Sequence, residues 1–213
     1  MALRRSTKVE AMSIILIRHG ETPLNVARTL QPADTPLSAT GLAQAEAVAK
    51  RLAGLQLAGI VSSDLPRALR TAQAIAAATG LPVSTTALLH ERNFGDLRGQ
   101  PYDTLGFNPL TMSEAPPGGE SAAEFSARVA QAFAHIIALR SALPGSLAVV
   151  THGLVIRALL ANHLSSAESV PLKVGNTSVT IVAAHAPHGV ELLDCTRHLG
   201  DGMQHKAGSL SGG

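Results

Sequence analysis

The chain has 213 residues, enough for one domain with a sizeable core. Of these 46% are hydrophobic but only 2% aromatic, so that core must be built from Ala, Leu, Val and Ile. A formal charge of +2 and a pI near 9.0 come without any Lys/Arg run or aromatic residues to stack bases, which argues against nucleic acid as a partner.

The single Cys195 excludes an internal disulfide and reads as a small buried hydrophobe. No apolar run reaches membrane-spanning length. Arg4, Arg5 and Lys8 before the apolar run Met12 to Ile17 imitate a signal peptide, but the run is too short and Arg18 follows it directly. A cytoplasmic protein without a membrane partner is expected. Residues 1–11 read as a flexible N-terminus, residues 12–199 as one domain, and the Gly- and Ser-rich residues 200–213 as a disordered tail.

In chain order, Ser13 to Ile17 is an aliphatic run that predicts a buried strand. It stops at Arg18-His19-Gly20, residues suited to the edge of a sheet, where open α/β sheets bind ligands. Arg18 is a fixed cation suited to phosphate, His19 a nucleophile when neutral, and Gly20 a point of close backbone approach. Thr22 to Asn25 leaves through a turn or short helix, and two prolines mark a loop over 31–36. Ser38 reads as the N-cap of a helix that buries Leu42, Ala45, Val48, Ala49 and Leu52 and stops at Gly54.

Gly59 to Ser63 predicts a second strand. It leads into a helix for which Asp64 is the expected cap, Pro66 the first-turn residue and Gly80 the stop. Arg67 then lies in the first helical turn after a strand, where a guanidinium and helix N–H groups can converge on an anion. Arg70, one turn on, reads as a surface charge. Leu81 to Thr85 predicts a third strand. His90 to Gly99 reads as a loop with Glu91 at its start. Residues 100–119 carry four prolines and no Lys or Arg, and read as a loop over the sheet edge with one short helical turn.

Ser121 to Glu124 is a capping box, and the helix it opens buries Phe125, Val129, Phe133 and Ile136. His135 reads as a flanking surface residue. Leu147 to Val150 is another buried strand ending in Thr151-His152-Gly153, which repeats the opening pattern of aliphatic strand followed by His-Gly. A buried helix over Leu154 to Leu164 follows. Ser178 to Ala184 and Val190 to Cys195 predict an antiparallel hairpin. His185, His188 and His198 read as inert turn or strand-end residues.

Strands alternating with helices predict parallel βαβ units: a three-layer α/β/α sandwich with a mostly parallel central sheet and a C-terminal antiparallel hairpin. His19, Arg67, Glu91 and His152 each follow a strand, so they should share one edge. Cations dominate that set, which points to an anionic substrate. A zinc site built from His19, His152 and Glu91 is the competing chemistry. Two arginines would repel the metal, and neither His-Glu-x-x-His nor Cys-x-x-Cys spacing is present.

Four stretches in order resemble the histidine phosphatase superfamily, which includes cofactor-dependent phosphoglycerate mutases. They are Arg18-His19-Gly20-Glu21-Thr22, Ser63 to Ala68, Glu91 to Leu97, and Thr151-His152-Gly153. The resemblance implies a catalytic domain in which His19 attacks phosphorus and becomes phosphohistidine. Arg18, Arg67 and His152 would hold the phosphoryl oxygens, with Asn25 and Gly153 adding contacts, and Glu91 would protonate the leaving oxygen. It implies no cofactor and no metal. The expected partner is a small phosphorylated substrate, and oligomeric state stays open.

The phosphatase branch is expected over the mutase branch. The mutases this chain resembles use a Lys after the Gly-Asp-Leu loop and a pair of arginines in the insertion. Gln100 stands at the Lys position and residues 100–119 hold no cation. Asp103, Glu114 and Glu120 would repel a carboxylate, and Pro32 replaces a Gly whose N–H would face the substrate. A catalytically silent phospho-ligand or partner-binding module is the alternative of a different class, which turnover of para-nitrophenyl phosphate would exclude.

Overall fold

The computed structural model describes residues 12–200 and residue 203. The flexible N-terminus and nearly all of the disordered tail expected from sequence lie outside them. The elements are β1 (Ser13–Arg18), α1 (Pro23–Val26), α2 (Ala39–Ala53), β2 (Leu57–Ser62), α3 (Pro66–Thr79), β3 (Val83–Thr85), α4 (Ala122–Ser141), β4 (Ser146–Thr151), α5 (Gly153–Asn162), β5 (Val179–Ala183) and β6 (Val190–Cys195). One sheet runs in the order β3-β2-β4-β1-β5-β6. β1, β2, β3 and β4 are mutually parallel, β5 runs antiparallel to β1, and β6 pairs antiparallel with β5. The mostly parallel sheet and the hairpin expected from sequence are both present.

Alternation along the strands splits the core in two. Ile14 and Leu16 of β1 join Leu147 and Val149 of β4 under α4 and α5. Ile15 and Ile17 join Ala148 and Val150 on the opposite face, under α2 and α3. Both faces of the central strands are therefore covered, which is why they read as unbroken aliphatic runs.

This topology also fixes where the sheet opens. The chain leaves β1 toward the α2 face and leaves the adjacent β4 toward the α5 face. Neighbouring strands whose connections diverge to opposite faces create a crevice at their carboxyl ends.

Local signals account for most helix ends. Ser38 Oγ accepts from Gly41 N at 3.0 Å, and the Ser121–Glu124 capping box forms. Gly80 closes α3 at φ 73°. Asp64 is a correction: Leu65 holds the N-cap position of α3 and makes no side-chain cap bond. Asp64 lies one residue too early and pairs with the His90 imidazole instead. Gly20 is needed for close approach, since a Cβ there would sit 2.5 Å from the Gly41 carbonyl oxygen at the start of α2.

The insertion over 100–119 holds two short 3-10 turns, Tyr102–Thr104 and Pro109–Thr111, rather than one. Phe133 is half-buried between the imidazoles of His163 and His188, with ring centroids 4.9 and 5.2 Å away.

Candidate active site

The two His-Gly motifs meet because their strands are neighbours in register. Arg18 of β1 pairs with Thr151 of β4, so His19 and His152 are each one step beyond the last pair. His19 N donates to Thr151 O at 2.9 Å, and the two imidazoles lie 5.1 Å apart, centre to centre. Both residues are fully buried.

His19 Nδ1 is 2.7 Å from the Gly20 carbonyl, which can only accept, so that nitrogen carries the hydrogen. The lone pair is thereby left on Nε2, which has no partner in the protein. Burial, then the charges of Arg18 and Arg67, hold the His19 pKa well below its usual value, so the ring is neutral. A neutral imidazole with a free, oriented lone pair is a nucleophile.

Arg67 comes in from the first turn of α3 and is buried. Its Nη1 donates to the carbonyls of Pro32 and Ala33 at 3.3 and 3.4 Å, and its Nε has no partner. Arg18 is fully buried and donates to the Val174 carbonyl. Burial lowers both arginines to about 10, so both stay cationic at neutral pH.

Asn25 is held by its oxygen, which accepts from Thr22 N and Asn176 Nδ2 at 3.1 and 3.2 Å, and its own Nδ2 is buried without a partner. His152 contacts Ser63 Oγ through Nε2 at 2.9 Å and leaves Nδ1 unpartnered. Gly153 opens α5, directly ahead of Leu154.

Glu91 is buried, and its carboxyl accepts from Arg92 N and Leu154 N, both at 3.1 Å. Burial raises its pKa above the ordinary range, against the pull of those N–H groups and of Arg67 and Arg18. All seven residues named from the sequence thus gather at the carboxyl ends of β1, β2 and β4. His19, His152 and Glu91 do not form a metal-ligand group. Among the described residues no cluster of three or more His, Cys, Asp or Glu is placed to hold a metal ion.

Several residues of the site carried no recognisable sequence signal. Gln31 is buried, its oxygen taken by Thr22 Oγ1 at 2.8 Å and its Nε2 unpartnered. Asn176 reaches from the loop before β5 to bond both the His19 carbonyl and Asn25. Thr71 accepts from Gly20 N at 3.1 Å. Tyr102 buries an unpartnered hydroxyl that feels the charges of Glu91 and Arg18. It also lines a cleft of about 470 Å³ with Arg28, Asp103, Phe107 and Asn108.

The surroundings of the site refine the sequence expectations. Arg28 borders that cleft and Arg98 acts electrostatically on Arg67, so the neighbourhood is not free of cations although residues 100–119 are. Glu120 is tied to Arg128 by bonds of 2.7 and 2.8 Å, so its charge is offset rather than turned on a substrate. His198, read as inert, is half-buried and bridges Arg51 to Thr177, whose N–H donates to the carbonyls of Arg18 and His19. A larger cleft of about 770 Å³ lies elsewhere, along α2 and the segment after β6. Volume alone therefore does not single out this site; what marks it is the gathering of buried, unpartnered polar atoms around His19.

A family model described as the histidine phosphatase superfamily (branch 1) matches residues 14–194. A phosphoglycerate mutase-like protein 4 from Arabidopsis thaliana is 37% identical over 190 residues, 83% of this chain and 81% of the relative. A solved mycobacterial glucosyl-3-phosphoglycerate phosphatase superposes with a TM-score of 0.72 at 30% identity, over 88% of this chain and 100% of that one. The Bacillus stearothermophilus protein YhfR gives 0.76 at 28% identity, over 88% and 99%.

Proposed function

The chain belongs to the histidine phosphatase superfamily, and on that premise we propose that it hydrolyses small phosphomonoesters through a phosphohistidine on His19. The observation that carries this reading is the set of buried, unpartnered polar groups around His19. They are its own Nε2 lone pair and, as donors, Asn25 Nδ2, Gln31 Nε2 and Arg67 Nε, with His152 Nδ1 beside them. Nature seldom leaves such groups unsatisfied, and a tetrahedral anion seated over His19 would satisfy the donors together.

In the first step His19 Nε2 attacks phosphorus while the ester P–O bond breaks. The proton on Glu91 passes to the departing alkoxide, which is a poor leaving group unless protonated. Arg18, Arg67, Asn25 and His152 stabilise the transferring oxygens. In the second step a water attacks phosphorus, Glu91 takes the water's proton, and the N–P bond breaks. Phosphate leaves and neutral His19 is restored. No residue in this sequence of steps requires a metal.

Membership of the superfamily supports a phosphatase or a mutase, and the Arabidopsis relative bears a mutase-like name. Hydrolysis is favoured by Gln100, which stands where the mutases carry a Lys. Its exposed side chain donates to the Asp96 carbonyl at 3.1 Å. The cleft of about 470 Å³ beside Tyr102 is the seat this reading assigns to the alcohol portion.

Brief incubation with a radiolabelled phosphomonoester should trap an acid-labile, base-stable phosphoenzyme in the wild type and none in His19→Ala. Turnover by His19→Ala would overturn the mechanism.

A further inference from the structure

We propose that Ser63 is a positioning residue that fixes the tautomer of His152, so that this ring presents an N–H rather than a lone pair to the phosphoryl group. The consequence for turnover rests on the phosphatase reading; the tautomer itself does not.

Ser63 is the residue at which β2 gives way to α3, and both Ser63 and His152 are fully buried. The β2 backbone holds Ser63 from below, since its N–H donates to the Val150 carbonyl at 3.0 Å on the neighbouring strand. Its hydroxyl has two neighbours. Leu65 N donates to Oγ at 3.3 Å, and His152 Nε2 lies at 2.9 Å. A serine hydroxyl has one hydrogen to give and two lone pairs to fill.

The Leu65 N–H occupies one lone pair. If His152 carried its hydrogen on Nε2, that N–H would fill the other lone pair. The Ser63 hydrogen would then find no acceptor among the described residues, in a place closed to water. If the Ser63 hydrogen instead points at Nε2, both neighbours of the hydroxyl are satisfied, the imidazole hydrogen sits on Nδ1, and that N–H is the donor without a protein partner. A buried donor left unmade is costly, and only the second arrangement places it beside the other unpartnered polar atoms around His19, where a water or an anion accepts it, so the second is favoured.

The other end of the ring agrees. His152 Nδ1 has no partner in the protein and lies on the ring whose centre is 5.1 Å from that of His19. With the hydrogen on Nδ1 the ring can donate to a phosphoryl oxygen. With the hydrogen on Nε2 it would set a lone pair against that oxygen's negative charge. The choice matters because burial, then Arg67 and His19, hold His152 neutral. A neutral ring has one hydrogen, and something must decide which nitrogen keeps it.

The two histidines are thus set to opposite uses by the same device. The Gly20 carbonyl draws the His19 hydrogen to Nδ1 and frees a nucleophilic lone pair on Nε2. The Ser63 hydroxyl occupies Nε2 of His152 and leaves a donor on Nδ1. Ser63 and Arg67 sit four residues apart on one strand-to-helix turn, so a single element supplies a guanidinium and aims an imidazole.

The test is nitrogen-15 NMR of histidine-labelled wild-type protein without phosphate, with His152 assigned by its loss in His152→Gln. The expected result is a one-bond proton coupling on His152 Nδ1 and a bare Nε2. A hydrogen on Nε2, or on both nitrogens, at neutral pH overturns the proposal whether or not the protein is a phosphatase.

Ser63→Ala should let the hydrogen distribute between the two nitrogens. It should weaken orthovanadate binding by about 10- to 100-fold, the worth of one hydrogen bond to a charged group. Ser63→Thr, which keeps the hydroxyl, should restore both the single tautomer and the binding. An unchanged His152 signal and unchanged vanadate affinity in a folded Ser63→Ala overturn the role of Ser63. Wild-type protein that shows the expected tautomer yet binds no vanadate and turns over no para-nitrophenyl phosphate overturns the phosphatase reading instead.

Discussion

The carboxyl of Glu91 is held by two backbone N–H groups from different elements, Arg92 beside it and Leu154 in the first turn of α5. Those bonds favour the charged form, and burial favours the neutral one; burial prevails and the pKa is raised. A carboxyl poised upward suits a group that first gives a proton and later takes one. Replacement by Gln keeps the size and removes the proton. In Glu91→Gln the phosphorylation step should fall by about 10²- to 10⁴-fold for an alkyl ester, the usual worth of general acid catalysis, and far less for an aryl ester whose leaving group needs no proton. Burst kinetics separate this step from dephosphorylation, which loses its base in either case. The wild-type kcat/KM for the alkyl ester should also decline on the alkaline side as Glu91 loses its proton, and the Gln variant should lack that limb. Equal losses in the first step for both esters would remove Glu91 from the acid role.

Among the elements, the insertion over 100–119 is the one on which the proposed preference for hydrolysis over isomerisation rests. None of its four prolines has an N–H to donate to a ladder, and it folds as 3-10 turns joined to the first loop by an isolated bridge, Thr29 to Pro101. A mutase must hold phosphoglycerate by its carboxylate while the phosphoryl group moves. The insertion offers no cation for this, and Asp103 faces the cleft; Arg28, from the end of α1, is the cation that borders it. Charge-assisted bonds are worth about 1.5–3 kcal/mol each, so replacing several by one weakens carboxylate binding by orders of magnitude. With 3-phosphoglycerate and 2,3-bisphosphoglycerate present, phosphate release should outpace formation of 2-phosphoglycerate in a coupled assay. Faster isomerisation would promote the mutase reading.

For the molecule as a whole, the site's histidines tie stability to pH. His19 and His152 are fully buried, with pKa values well below 6.5 caused first by burial and then by neighbouring cations. Below about pH 6.5 the unfolded chain takes up protons at both rings while the folded chain does not, so stability falls with acidity. Each ring contributes up to about 1.4 kcal/mol per pH unit in that window, or about 2.7 for the pair. Glu91 works the other way, because its raised pKa lets the folded state bind a proton more readily than the unfolded one, and it offsets part of the slope. Urea unfolding from about pH 7.5 down to about pH 5.5, in phosphate-free buffer, should show falling stability. A flat or rising profile would mean that at least one histidine is charged in the folded state.

Four short stretches, from Arg18 to Thr151-His152-Gly153, were legible without coordinates because each is contiguous: a strand end and the residues that follow it. The aliphatic runs of β1 and β4, the caps at Ser38 and Ser121 and the stop at Gly80 were legible for the same local reason. Asp64 was misread because capping depends on one residue of register: Leu65 holds the cap position, and Asp64 pairs with His90. What only the tertiary structure decided is partnership across the chain. Ser63 meets His152 at a separation of 89 residues, and Asn176 meets the His19 carbonyl at 157. Serine, asparagine and glutamine look alike in a sequence whether they face water or brace a buried imidazole. Their meaning comes from burial and from the one remaining atom that goes without a partner, and both belong to the packed sheet edge rather than to any stretch of sequence.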